Sequence, residues 1–457
     1  MPEYTTTIAA VSTPPGKGGV ALIRLSGEDA VTIAERVFAP MAGRGLSERT
    51  PRTAVYGRFL SGGVAVDDGM ALYFPAPHSY TGEDTVEFTC HGGTLVTHVI
   101  LEALFSAGAE PASAGEFTRR AFLNGRLSLS KAEAIGTLLE AKSRAQILLS
   151  AGRDRLSDRL DALYGEALAL LSNSEAAIDF PEEDLAEMTA EEQLRATEAL
   201  AAKVTALTDT YRTGHAVSEG VPTVICGRPN VGKSTLYNLL LGEDAAIVSE
   251  TAGTTRDVLE RNVSLGRVLL RLADTAGIRV TEDPLERIGV DRARRALTGA
   301  SLVFAVFDSS EPLQPEDHAL IAALRELPAV TIAILNKSDL PPALHEKDLA
   351  EFFPHIVTLS AQSGTFDLLS ALVNRLFTDE TLTLGDDAIV FSARQHAALS
   401  RAADHLRAAC DLLRGHYPAD MTGEEMREAL AALGQTNGRE VNEDVVAEIF
   451  SHFCVGK

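Results

Sequence analysis

The stretch from residue 220 to 378 constrains the fold more than any other part of the chain. Short apolar and β-branched runs (PTVIC, RVLLRLAD, SLVFAVFD, VTIAILNKSD, HIVTLSA) alternate there with helical ones such as KSTLYNLLLG and TFDLLSALVNRLF. Alternation of this kind predicts βα units and a mainly parallel sheet covered by helices. GRPNVGKS, residues 227–234, lies between the apolar TVIC and the helical KSTLYNLL. That is the strand–turn–helix setting in which G-x-x-x-x-G-K-[ST] works. Backbone N–H groups of the turn and the helix N-terminus converge on phosphate, Lys233 reaches its outer oxygens, and Ser234 reaches Mg²⁺. Asn230, Val231, Gly232 and Thr235 complete the predicted loop.

Further patterns follow at workable spacing. Asp274, Thr275, Ala276 and Gly277 (DTAG) come after VLLRLA, where a strand-end carboxylate can hold Mg²⁺ through water and Gly277 can approach a γ-phosphate. Upstream, Ser249, Glu250, Thr251, Ala252, Gly253, Thr254 and Thr255 form a polar loop. Its threonines can contact Mg²⁺ when such a loop folds over a third phosphate, and Thr255 is assigned with Ser234 as a Mg²⁺ ligand. A plain surface loop is the alternative. Asn336, Lys337, Ser338 and Asp339 (NKSD) end an apolar strand. The Asp339 carboxylate can accept from both N1–H and the 2-amino group of guanine. Adenine lacks these donors and would leave the carboxylate unpaired. Lys337 can lay its stem on the base, and Ser360, Ala361 and Gln362 begin a loop that closes on it. Together these elements predict binding of Mg-GTP.

Many small GTPases place a glutamine after DTAG to orient water. Here the residue is Ile278, which cannot do so. The acidic stretch TEDPLERIG offers Glu282, Asp283 and Glu286 instead, or is a solvated charged loop.

The rest of the chain reads as two other kinds of structure. Residues 1–120 mix strands, Gly/Pro turns and one helical run, which predicts an α+β unit. Residues 121–219 and 379–457 are Ala/Leu-rich and helical, so the α/β region 220–378 reads as an insertion into a discontinuous helical domain. The formal net charge of −23 argues against a protein that coats nucleic acid non-specifically and limits any RNA contact to a local patch or a partner's surface. Cys90, Cys226, Cys410 and Cys454 have neither metal-site nor disulfide-scaffold spacing. With no signal-like N-terminus and no long apolar run, a cytoplasmic protein that does not span a membrane is expected.

TPPGKGGVALIRLSG, the TGED…CHGG stretch at 81–93, GEFTRRAFLNGR at 115–126, the G motifs with ERIG at 286–289, and the terminal FCVGK carry a resemblance. Essentially end to end, the chain resembles the bacterial tRNA modification GTPases of the MnmE (TrmE) family. The resemblance implies an N-terminal domain like the folate-binding aminomethyltransferase of glycine cleavage, which also forms the homodimer. A helical domain and an inserted P-loop GTPase domain complete the fold. It implies action with the flavoprotein MnmG to place an aminomethyl or carboxymethylaminomethyl group on C5 of the wobble uridine of certain tRNAs. The one-carbon unit comes from a tetrahydrofolate (5-formyl- or 5,10-methylene-tetrahydrofolate). Folate contacts carried over are Arg24, Glu87, Arg126, where many relatives have Lys, and Lys457; Cys454 lies near them as a candidate chemical participant. Arg24 and Glu87 can equally be a strand-borne ion pair, and Cys454 a small apolar residue in a terminal helix. The resemblance also implies K⁺-activated hydrolysis when two G domains pair, with Asn230, Ser249, Thr251 and Thr254 around the ion and Glu286 orienting water. A GTP-driven scaffold or ribosome-assembly switch is the competing class. Such relatives often append a basic RNA-binding module, and none stands out here, while the N-terminus and FCVGK favour tRNA modification.

Glu286→Ala is expected to bind GTP nearly normally but to hydrolyse it about 10²- to 10⁴-fold more slowly, the usual cost of losing a water-positioning group. Single-turnover hydrolysis in K⁺ beside equilibrium binding of a GTP analogue separates the two effects. A fall below about threefold would return ERIG to the role of a solvated loop.

Overall fold

In the computed structural model, which describes residues 6–179, 188–242, 260–273 and 297–456, the strand patterns become two sheets. They belong to two units: Met1–Gly136 with Leu160–Leu168 and Arg427–Lys457, and Thr137–Arg159 with Ala169–Met426.

The first unit holds strands β1 (Ile8–Val11), β2 (Gly18–Ser26), β3 (Phe38–Pro40), β4 (Val55–Ser61), β5 (Val64–Phe74), β6 (Thr85–Gly92) and β7 (Glu110–Pro111). Their order is β3-β4-β5-β6-β2-β1-β7, antiparallel except for β1 beside β7. Strand alternation sends Ile23, Leu25, Phe59, Ala71, Val86 and Phe88 to one face, where helices Ala30–Val37 and Thr94–Ser106 cover them with Ile33, Val37, Ile100 and Leu104. The opposite parity places Ile8 and Ala10 with Phe117, Ala112 and Tyr80. Because Arg24 pairs in register with Ala10 and with Glu87, both charged residues share that second face.

The chain's end returns to this unit. Phe450, near the end of helix Glu443–Ser451, and Phe453 just beyond it cluster with Leu129 and Ala132, and Val455 bridges Ala114. Ser12 Oγ then donates to Gly456 O at 2.8 Å.

In the second unit, strands β8 (Val221–Cys226), β9 (Glu260–Leu265), β10 (Val268–Ala273), β11 (Leu302–Asp308), β12 (Val330–Asn336) and β13 (His355–Thr358) form a sheet of order β13-β12-β11-β8-β10-β9. All neighbours are parallel except β9 and β10. Both faces are buried, as a parallel sheet requires. Along β11, Leu302, Phe304 and Val306 face a core shared with Leu236, Leu240 and Leu369, while Val303, Ala305 and Phe307 face Ile321, Leu324 and Leu349.

Helices from before and after this sheet pack together. Ala190–Asp209 lies against Ala393–Arg414, with Glu198 accepting from Arg414 at 2.7 Å. Thr210 Oγ1 accepts from Val390 N at 2.9 Å and Thr213 Oγ1 from Asp379 N at 2.8 Å, so the chain leaves and re-enters the helical layer at one place. The expected α+β part, discontinuous helical part and inserted α/β domain are all present. Among the described residues, no helix is long and apolar enough to cross a membrane.

Helix Tyr211–Ser218 approaches this junction so closely that a Cβ on Gly214 would stand 1.9 Å from Val390 O. Gly214→Ala gains about 1 kcal/mol of helix propensity but overpacks a buried contact, a cost of about 1–3 kcal/mol that the backbone neighbour places at the upper end. A lower urea midpoint is expected. An unchanged or raised midpoint would show that the two segments separate easily.

Candidate functional site

The predicted phosphate loop begins where β8 ends. Gly227 has φ +150°, and a Cβ there would lie 2.4 Å from Val306 O, so only glycine lets the loop pass this close to β11. Asn230 (φ +66°) and Gly232 (φ +99°) then turn the chain into helix Lys233–Gly242. Lys233 Nζ donates to Gly227 O at 2.8 Å and to Arg228 O at 2.7 Å, keeping the ammonium within the curve of the loop. Burial lowers its pKa and pushes the neighbouring Cys226 thiol up to about 12. Asn230, Ser234 and Thr235 are exposed at the loop and the first helical turn, whereas Val231 is fully buried beneath it.

Asn336, 2% exposed at the end of β12, ties this loop to the rest of the predicted site. Its Nδ2 donates to Val231 O at 2.8 Å, and its Oδ1 accepts from Ala361 N at 2.9 Å. Gly232 makes room for that amide: a Cβ there would be 2.1 Å from Asn336 Nδ2. One side chain therefore joins the phosphate loop, NKSD and the Ser360 loop. Beyond it, Lys337 adopts φ +63°, and Ser360 Oγ donates to Asp339 Oδ1, fixing one oxygen of that exposed carboxylate. Ser338 N donates to Leu359 O at 3.3 Å, and Ser338 and Gln362 are exposed at the rim. Ser249–Thr255, Asp274–Gly277, Glu286 and Lys457 lie outside the described residues.

Three ion pairs escaped sequence reasoning because each joins a motif residue to an acid that no motif names. Lys337 Nζ donates to Asp308 at the end of β11. Burial alone would raise the Asp308 carboxyl, but hydrogen bonds from Lys337 and Ser310 outweigh it and hold the group below its ordinary value. Arg228, within the phosphate loop, pairs with Glu311 and with Asp317. The only sequence signal was an acid closing the buried run SLVFAVF.

The first unit contains a second cluster. Arg24 donates through Nε to Glu87 Oε1 at 2.9 Å, with its second nitrogen 2.8 Å from the same oxygen. The guanidinium also lies over Tyr80, 4.9 Å from the ring centroid, and 5.6 Å from that of the buried Phe117. Tyr80 is held in turn by a 3.0 Å hydrogen bond between its hydroxyl and Thr118. The ion-pair alternative is thus realised, but in a partly exposed setting with aromatic walls. Arg126 is exposed, with its side chain beside Gly82. Cys454 is exposed and lies beyond the terminal helix, so it is not the apolar helix residue of the alternative reading. Its carbonyl accepts from Gly115 N at 3.4 Å.

A phosphate loop on the first strand of a parallel sheet, joined through a buried amide to a base-reading loop, defines a P-loop G domain, here inserted in a helical framework. Family models described as "GTP-binding protein TrmE N-terminus" and "MnmE helical domain" match residues 7–126 and 129–454. The tRNA modification GTPase MnmE of Symbiobacterium thermophilum is 42% identical over 457 residues, covering 99% of each chain. Those of Heliobacterium modesticaldum and Lactiplantibacillus plantarum are 41% and 40% identical, covering 99% and 100% of each chain. The chain belongs to the MnmE (TrmE) family of tRNA modification GTPases.

Asn336→Ala would strip partners from the Val231 carbonyl and the Ala361 N–H, each costing about 1–3 kcal/mol if left unsatisfied. GTP affinity is expected to fall by at least about tenfold, read by equilibrium titration with a fluorescent analogue. Affinity within about twofold of wild type would show that the loops hold their places without the amide.

Proposed function

We propose that this chain hydrolyses GTP as one subunit of a complex that, with the flavoprotein MnmG, modifies C5 of the wobble uridine of certain tRNAs. The observation that carries the nucleotide reading is the convergence of Val231, Asn336 and Ala361. Three separated motifs meet at one amide, so Lys233 and Asp339 belong to loops tied to the same side chain and would hold the two ends of one nucleotide. Asp339 reads the guanine edge, Lys337 and the Ser360–Gln362 loop line the base, and residues 230–235 surround the phosphates. Ser249–Thr255 and Asp274–Gly277, outside the described residues, are assigned to the third phosphate, and Ser234 and Thr255 would hold Mg²⁺.

Hydrolysis is completed by pairing of two G domains. Asn230, exposed in the phosphate loop, would offer its side-chain oxygen to a K⁺ ion together with backbone oxygens around Ser249, Thr251 and Thr254. That ion supplies positive charge where other systems insert an arginine. Glu286 orients the water that Ile278 cannot.

In the N-terminal domain, which also forms the homodimer, the Arg24–Glu87 pair under Tyr80 suits a planar, hydrogen-bonding heterocycle such as the pterin of a tetrahydrofolate. Arg126 and Lys457 contribute charge, and Cys454 stands exposed beside the returning tail. Bound folate supplies the one-carbon unit; the protein's residues hold and orient it. The functional domains are 1–120, 121–219, 220–378 and 379–457, and a tRNA substrate places the work in the cytoplasm.

Nucleoside analysis of tRNA from cells lacking this protein tests the reading. Loss of the C5 substituent at wobble uridines is expected. Unchanged wobble uridines would leave a GTP-driven scaffold or ribosome-assembly switch as the function.

A further inference from the structure

Cations from two separate loops of the proposed nucleotide site are held by one acidic segment. Lys337, in the base loop, donates to Asp308; Arg228, in the phosphate loop, pairs with Glu311 and, through Nε, with Asp317 Oδ2 at 3.3 Å. Asp308 and Asp317 are 4% and 3% exposed, so their pairs are not the solvated surface pairs that contribute little, whereas Glu311 is half exposed. The charges reinforce one another: burial opposes the charged form of Arg228, but Glu311, Asp317 and Asp308 together raise its pKa.

The acidic segment is itself tied down. Ser310 donates to Asp308 Oδ1 through both its backbone N (3.0 Å) and its hydroxyl (2.6 Å). Ser309 N donates to Asn336 O at 2.9 Å, and Ser309 O accepts from Ala343 N at 2.8 Å and Leu344 N at 3.0 Å. At the far end Asp317 Oδ2 accepts from Gln314 N at 3.0 Å, fixing the start of helix Pro315–Leu324.

We infer that the segment from Asp308 to Asp317 is a strut setting the spacing between the phosphate loop and the base loop, with Asp308 and Asp317 as positioning residues for guanine-nucleotide binding. The inference rests on the reading of residues 227–235 and 336–339 as the nucleotide site. One nucleotide must touch both loops at once, so its affinity depends on their being held beforehand at the distance it spans. Neither acid needs to touch the ligand. The sign of the effect separates the strut from simple electrostatics. An acid near a triphosphate opposes binding through long-range charge, so its removal would by that route alone tighten binding. Removal of a strut weakens it.

The test uses the full-length protein and measures Kd for GDP and GTP, with melting temperature, for wild type, Asp308→Asn, Arg228→Gln, Arg228→Lys and the Asp308→Asn/Arg228→Gln double variant. Each of Asp308→Asn and Arg228→Gln should weaken both nucleotides by about tenfold, with Arg228→Lys between Arg228→Gln and wild type. KM for GTP should rise by a larger factor than kcat falls. Once either end is cut the strut no longer sets the spacing, so the double variant should lose no more than about threefold beyond the weaker single. Losses that multiply to about a hundredfold would mean two independent ion pairs and overturn the inference. Tighter binding in Asp308→Asn, or a lower melting temperature with unchanged Kd, would overturn it equally. Lys233→Ala distinguishes the two levels of reading: undiminished GTP binding there sinks the nucleotide site itself, whereas its loss beside an unaffected Asp308→Asn sinks only the strut.

Discussion

The G domain depends on a single buried amide. Asn336 spends its donor on Val231 and its acceptor on Ala361, and a buried amide with both ends satisfied has one stable orientation. Several sequence choices follow from that placement. Position 232 must lack a side chain because the amide fills the space, and β12 must end at residue 336 for the side chain to reach both loops. The apolar alternation of β11 and β12 keeps the strand ends in register beneath it, with Asp308 beside Asn336. Sheet packing and the meeting of the loops at Asn336 are thus two consequences of one set of strand positions.

The first unit obeys a different constraint. Its sheet buries one face under two helices, while its second face combines a small apolar cluster with the Arg24–Glu87 pair. The last residues of the chain complete this region, since the Ala114–Val455 bridge and the Ser12–Gly456 hydrogen bond bring the tail to the start of the sequence. Gly456 permits it: φ is +96°, and a Cβ would stand 2.3 Å from Val11 O. A tail held this way keeps Cys454 at the surface, beside residues more than three hundred positions earlier in the sequence.

The elements that sequence reasoning captured were local. Strand–loop–helix spacing anticipated the glycine turn between β8 and the following helix, an apolar run ending in NKSD anticipated the end of β12, and alternating βα patterns anticipated a mainly parallel sheet within a discontinuous helical layer. What escaped was non-local or used ordinary residues. Asp308 and Asp317 look like unremarkable acids until folding brings them to Lys337 and Arg228. No sequence pattern assigns a role to Tyr80 or Phe117, and only the fold brings their rings to the Arg24 guanidinium. The tail's bridge to Ala114 is a single residue pair and carries no periodicity at all.

We propose that Asp339, steadied by Ser360, reads the guanine edge across from the phosphate loop. Competition binding of GTP and xanthosine triphosphate to wild type and Asp339→Asn tests it most directly. The carboxylate can only accept, whereas an amide can donate to the C2 oxygen of xanthine. Weaker GTP binding and a preference shifted toward xanthosine triphosphate are expected in the variant. A variant that kept the wild-type preference for GTP would contradict it.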